Sequence, residues 1–224
     1  VKNAAKEIAW GQGHAISFMA KWSYDHAGNS CHIHQSLVGD SGAPLFHDAE
    51  ANYGMSETMR YYLAGLLAHA SELTYFLAPY INSYKRFMAG TFAPTKAIWS
   101  MDNRTAGYRI CGADSKAVRI ECRVGGADLN PYLAFAAQLA AGFAGIEGKL
   151  ALEPEFHGDA YGGEGREIPR TLREAITALD ASVMLRSAFG DAVIDHYVHA
   201  AKWEQFESDR RVTDWDLRRG FERA

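Results

Sequence analysis

The sequence predicts an α+β domain: a mainly antiparallel sheet with helices packed on one side. Two short segments alternate between polar and apolar residues, two longer ones carry apolar residues at helical spacing, and amphipathic stretches close the chain. In Asn29-Ser30-Cys31-His32-Ile33-His34-Gln35-Ser36-Leu37 the two-residue period puts His32, His34 and Ser36 on one strand face and Cys31, Ile33, Gln35 and Leu37 on the other. The segment from Arg119 to Val124 repeats this design, with Arg119, Glu121 and Arg123 opposite Ile120, Cys122 and Val124. A charged face and an apolar face on each strand predict a polar cleft backed by a core.

The remaining elements follow in chain order. Val1 to Trp10 reads as the tail of a helix, stopped by Gly11 and Gly13, and His14 to Trp22 alternates like a strand. Asp40-Ser41-Gly42 is a turn signal, joining the histidine strand to a return segment ending near Phe46. Ser56 is an N-cap for one long amphipathic helix running to Ala78, before Pro79. Asn130 and Pro131 open a second helix, apolar on almost every face as far as Leu150 and therefore expected to be buried. A loop with Pro154, Gly158, Gly162, Gly163, Gly165 and Pro169 reads as a surface excursion inside one domain. Helices are expected at Thr171 to Asp180, Asp191 to Phe206 and Asp214 to Arg223. Residues 1–150 thus hold the sheet and its packing helices, and 151–224 the loop and helical carboxyl end of the same domain.

Composition narrows the function classes. The 224 residues suit one large domain or two small ones, and a net charge of -4 gives no reason to expect nucleic acid or an anionic membrane surface as a partner. Three cysteines without a Cys-x-x-Cys pair argue against a disulfide framework or a thiolate zinc site and fit a cytoplasmic location. No apolar run reaches membrane-spanning length, and the amino end lacks a signal-peptide layout. The chain opens at Val1 rather than Met, so it is expected to be a piece of a longer protein.

Together with the two strands, Asn82-Ser83-Tyr84-Lys85-Arg86, Asn103-Arg104-Thr105-Ala106-Gly107-Tyr108-Arg109, Ala93-Pro94 after Gly90, and Asn130-Pro131-Tyr132-Leu133-Ala134-Phe135 resemble the glutamine synthetase family in order and approximate spacing. The resemblance covers nearly the whole chain. It implies part of a catalytic domain lacking the small amino-terminal domain, and an ATP-dependent ligase joining the γ-carboxyl of glutamate to ammonia or an amine through a γ-glutamyl phosphate. Further ligands would lie upstream, leaving this chain an incomplete half of the site within a homo-oligomer. By the same resemblance, His32 and Glu121 are ligands of Mg²⁺ or Mn²⁺, a donor set of imidazole and carboxylate that suits those ions. Arg86 and Arg123 match residues holding the carboxylates of glutamate, with Gly28 bringing backbone close to it. Arg104 and Arg109 match residues facing the ATP phosphates and the transferring group, so Arg104 and Arg123 are the candidate catalytic groups. His34, Ser36 and Lys116 resemble positions lining the nucleotide.

One departure bears on substrate. Where the family usually carries a glutamate immediately before the Ala-Pro, on a flap over the glutamate site, this chain has Phe92. That carboxylate is thought to bind ammonium and take its proton, for which a phenyl ring has no chemistry. Phe92 therefore points to an amine with carbon attached, as in ligases making γ-glutamyl amides; the alternative is that it simply packs the flap. Tyr161 falls where some bacterial members are nucleotidylated, but its glycine-rich surroundings do not resemble that site. His196, His199 and Trp203 have helical spacing without an acid partner for a metal. The competing function is a non-catalytic nucleotide- or glutamate-binding relative; a His-x-His zinc hydrolase would need a third ligand and an open water site.

Overall fold

The computed structural model describes residues 1–88 and 90–223. Among these, the elements are α1 (Lys2–Gly11), β1 (Ile33–Gln35), α2 (Glu57–Ala68), α3 (Ala70–Leu77), α4 (Ile81–Tyr84), β2 (Trp99–Met101), β3 (Tyr108–Cys111) and β4 (Arg119–Cys122). The helical remainder is α5 (Pro131–Glu147), α6 (Leu172–Asp180), α7 (Val183–Phe189), α8 (Asp191–Asp209) and α9 (Asp214–Arg223). The sheet order is β1-β4-β3-β2, with β4 antiparallel to both neighbours and β2 parallel to β3. The α+β class and the mainly antiparallel sheet are as the sequence predicts. Strands β2 and β3 come from a stretch whose sequence shows no clear alternation.

Period-two patterning sorts the side chains. Ile33, Ile110, Ile120 and Cys122 enter one apolar core with residues of α2, α3, α5, α6 and α8, while His34, Arg109 and Glu121 occupy the opposite face. Register sets Glu121 directly across from His34 on one side and Arg109 on the other. Behind the sheet, α2 and α5 approach at backbone distance. A Cβ added to Gly65 would sit 2.1 Å from the Ala141 carbonyl oxygen, and one on Gly145 would sit 2.2 Å from that of Tyr61. The close crossing brings Tyr62 over β1, where its hydroxyl donates to Gln35 (2.7 Å), whose amide donates to Gln138 of α5. This polar chain, which ends at the buried Gln138, ties the helix pair to one strand.

Several expectations need correction. His14 to Trp22 forms no strand: the Lys21 N–H donates to Asn82 Oδ1 (2.9 Å) and its C=O accepts from Asn82 Nδ2 (2.8 Å), while the Met19 carbonyl accepts from the Asn29 amide. Side chains thus satisfy backbone that a ladder would otherwise pair. Ser56 caps as expected, accepting from Met59 N (3.1 Å), but the long helix breaks into α2 and α3 at His69 (φ -100°, ψ 8°). Asn130 caps α5, yet the helix is not buried all round, since Tyr132, Phe135, Leu139 and Phe143 form an exposed stripe. The loop after α5 lies on the surface and is tied along β2: Phe156 N donates to Trp99 O, Ala97 N to Arg166 O, and the Trp99 indole to Glu153 O (2.8 Å). The short helix α7, capped by Ser182, was not foreseen, because seven residues carry little periodicity.

At the break between α2 and α3, Glu72 accepts from His69 Nδ1 (2.9 Å) and from the Ser182 hydroxyl, tying the start of α3 to the cap of α7. Burial alone would raise the Glu72 carboxyl, but the hydrogen bonds from His69 and Ser182 outweigh it and hold the group below its ordinary value. A carboxylate depressed in the folded state adds stability above its unfolded pKa of about 4.3, and that stability is lost as pH falls through the folded value. Glu72→Gln is therefore expected to cost about 1 kcal/mol at pH 7, with the gap narrowing steadily below about pH 4 in denaturant melts. A gap unchanged between pH 7 and pH 3.5 would contradict this.

Candidate active site

The open sheet face is organised by one carboxylate. Glu121 is 3% exposed, and its Oε1 accepts from Arg123 (2.9 Å) and from His32 Nδ1 (3.0 Å), its Oε2 from Arg109 (3.0 Å). The Cys111 thiol lies 3.9 Å from Oε2, and His34 Nε2 lies 3.7 Å from Oε1. Burial would raise this carboxyl, but Arg109, Arg123 and His32 together keep it below the ordinary carboxylate range. An ionised, buried carboxylate with its lone pairs occupied is the stable solution here.

His32 answers to the same hub. His32 Nδ1 lies 3.0 Å from Glu121 Oε1 and 3.4 Å from an Arg123 guanidinium nitrogen; with its proton directed to the carboxylate, the neutral ring keeps a lone pair on Nε2. That Nε2 is buried without a partner, and burial first, then Arg123, brings the imidazole pKa down to about 4. A neutral ring oriented by a carboxylate, with its far nitrogen free, is the donor arrangement seen at metal ligands. His32 therefore fits a divalent ion. Glu121 reaches such an ion only when one of its guanidinium partners turns elsewhere. Among the described residues there is no group of three metal-binding side chains.

The strand direction sorts the other candidates along β1 and β4. At one end, His34 Nδ1 accepts from Arg119 (3.2 Å), and Ser36 and Lys116 are exposed nearby, Lys116 on the turn joining β3 to β4. At the other, Arg123 is buried and gives its Nε to the Arg104 carbonyl (3.1 Å), while the Arg104 side chain is exposed. Arg86 is also buried there, bonded to Val124 O and lying 5.4 Å from the Phe87 ring centre; its Nε has no partner, and burial brings its pKa down to about 10. Gly28 makes room for it, since a Cβ there would meet the Ala20 carbonyl at 2.3 Å and Arg86 Cγ at 2.7 Å. Phe92 lies on the segment after Arg86, 62% exposed and with a left-handed φ of 55°.

Sequence reasoning missed the acids beside this cluster. Asp102 takes a left-handed φ of 46° after β2 and clasps Arg109 from the side, accepting from Nε at 2.9 Å; that guanidinium depresses its carboxyl. Asp tolerates this backbone better than most residues, which is the one local signal available. Glu155 accepts from Met101 N (2.9 Å) and the Tyr53 hydroxyl (2.9 Å) across more than fifty positions of sequence, so no local pattern announces it. Ser100, Asp102, Arg104, Arg109, Glu155 and His157 bound a cleft of about 580 Å³.

The sheet thus carries guanidinium groups, imidazoles and a buried carboxylate on one face and packs its other face into the core shared with α2, α3, α5, α6 and α8. The glutamine synthetase catalytic-domain profile matches residues 1–220, and the chain belongs to that family. It is 46% identical over 222 residues to the γ-glutamylethanolamide synthetase GlnA4 of Streptomyces coelicolor, covering 99% of this chain and 47% of the relative. It is 38% identical to a glutamate–isopropylamine ligase of a Pseudomonas species, covering 98% of this chain and 48% of the relative. The solved structure described as apo GmaS without ligand superposes with a TM-score of 0.88 at 32% identity, over 97% of this chain and 50% of that one. The chain thus spans about half the length of the relatives it matches.

Removing the hub should unfold more than the site. Glu121→Ala leaves Arg109 and the buried Arg123 without their shared anion and is expected to cost about 3–5 kcal/mol in denaturant melts. A loss below 1 kcal/mol would show that the cluster does not depend on Glu121.

Proposed function

We propose that this chain contributes the catalytic domain of an ATP-dependent ligase that joins the γ-carboxyl of glutamate to a carbon-bearing amine. The observation that carries the acceptor class is Phe92, exposed on the segment after Arg86 at the position where the family usually has a carboxylate. The names of the ethanolamide and isopropylamine relatives support it. The whole enzyme is a cytoplasmic homo-oligomer on this reading, with further metal ligands outside this chain.

In the mechanism, Arg86 and Arg123 take the carboxylates of glutamate, because a buried planar guanidinium offers paired donors at fixed geometry. Arg104 and Arg109 stabilise charge on the transferring phosphoryl group, which passes from ATP to the γ-carboxylate oxygen to give γ-glutamyl phosphate and ADP. The amine nitrogen then attacks the acyl carbon, phosphate leaves, and the nitrogen loses a proton. His32 and Glu121 would hold Mg²⁺ or Mn²⁺, which when bound neutralises the nucleotide phosphates. His34, Ser36 and Lys116 line the nucleotide end, and Gly28 keeps backbone close to glutamate. Phe92 covers the acceptor with an apolar ring, favouring an alkyl group over ammonium.

The test uses the full-length natural protein and follows glutamate-dependent phosphate release with ammonium and a panel of alkyl- and hydroxyalkylamines. An alkylamine is expected to exceed ammonium, and Phe92→Glu is expected to shift the ratio of kcat/KM values toward ammonium by at least about tenfold. Equal use of ammonium by the natural protein would reduce Phe92 to packing. Absence of release with every acceptor would favour the non-catalytic relative.

A further inference from the structure

The loop after α5 delivers one side chain that the reaction scheme above leaves unused. Lys96, itself buried, gathers the carbonyls of Ala160 (3.0 Å), Tyr161 (3.3 Å) and Gly163, which occupies all three of its donors. Thr105 Oγ1 accepts from Ala160 N (3.0 Å), and the Asn103 amide donates to Gly158 O (2.8 Å). Ala160 packs into a small apolar cluster with Ile98 and Ala106. The loop is therefore pinned to the same Asn103–Thr105 turn whose Arg104 carbonyl receives Arg123. Tyr161 is fixed relative to Arg123 through that turn.

Its hydroxyl oxygen is buried, the backbone N–H of Phe92 faces it, and its O–H finds no acceptor. Leaving such a donor unpaired is costly, and an acceptor supplied by a ligand would satisfy it. Burial pushes the Tyr161 phenol up, while the guanidinium groups of Arg123 and Arg86 and the backbone N–H of Phe92 act in the other direction. The phenol consequently keeps its proton at neutral pH and is a donor. Two guanidinium groups in its surroundings favour an anion there and oppose an ammonium group.

We propose that Tyr161 is a further substrate-binding residue, its hydroxyl donating to the glutamate carboxylate held by Arg86 and Arg123. This rests on the ligase reading. Its test is Tyr161→Phe in the full-length protein, with KM measured separately for glutamate, ATP and amine, and melting followed with and without glutamate. The KM for glutamate is expected to rise about 10- to 100-fold, while those for ATP and amine stay within about twofold. Without glutamate the variant should melt close to the natural protein, because the lost O–H had no acceptor, and its stabilisation by saturating glutamate should be smaller. An unchanged KM for glutamate, or a rise confined to the amine, overturns the proposal. If glutamate neither stabilises the natural protein nor supports turnover, the ligase reading itself fails and takes this assignment with it.

Discussion

A carboxylate buried on the open face of a four-stranded sheet is the constraint from which the rest of this site follows. Glu121 remains ionised away from water only because two guanidinium groups and an imidazole converge on it. In converging they set the orientation of His32, the direction of Arg109 and the depth of Arg123. On the proposed reading the same guanidinium groups serve the substrate anions. Neutralising Glu121 and binding substrate therefore draw on shared donors, and a cation at His32 and Glu121 would relieve that competition.

The scaffold keeps this arrangement in place from behind. Glycines at the α2–α5 crossing allow backbone contact, and Tyr62, Gln35 and Gln138 carry a hydrogen-bond chain from the helices into β1. In front, Lys96 organises the loop that runs beside β2. The charged groups thus sit on strands and pinned turns, where positions are held closely. Phe92 is different: exposed, left-handed and outside the sheet, it is the position at which, on the proposed reading, acceptor preference is set apart from the hub.

Much of this was legible in the chain because a strand's two-residue period needs no tertiary information. The faces of His32 to Ser36 and Arg119 to Arg123 follow from alternation alone, as does the opposition of charge and core. The caps at Ser56 and Asn130 were equally local. What could not be read depended on distant partners. The apparent strand at His14 to Trp22 lost its ladder to the Asn82 side chain, and the long helix bent where His69 meets Glu72 and Ser182. In the site, the arginines were visible as motif residues, but their convergence on Glu121 arises from register, and Asp102, Glu155 and Tyr161 arrive by turns and a loop.

The measurement that bears most directly on the account is the fate of oxygen in the γ-carboxylate of glutamate. With that carboxylate labelled with heavy oxygen, and ATP, Mg²⁺ and an alkylamine supplied to the full-length protein, one labelled oxygen should appear in the released phosphate. Phosphate released at the same rate without label would mean that the γ-carboxylate is never phosphorylated, and would contradict the ligase mechanism assigned to this site.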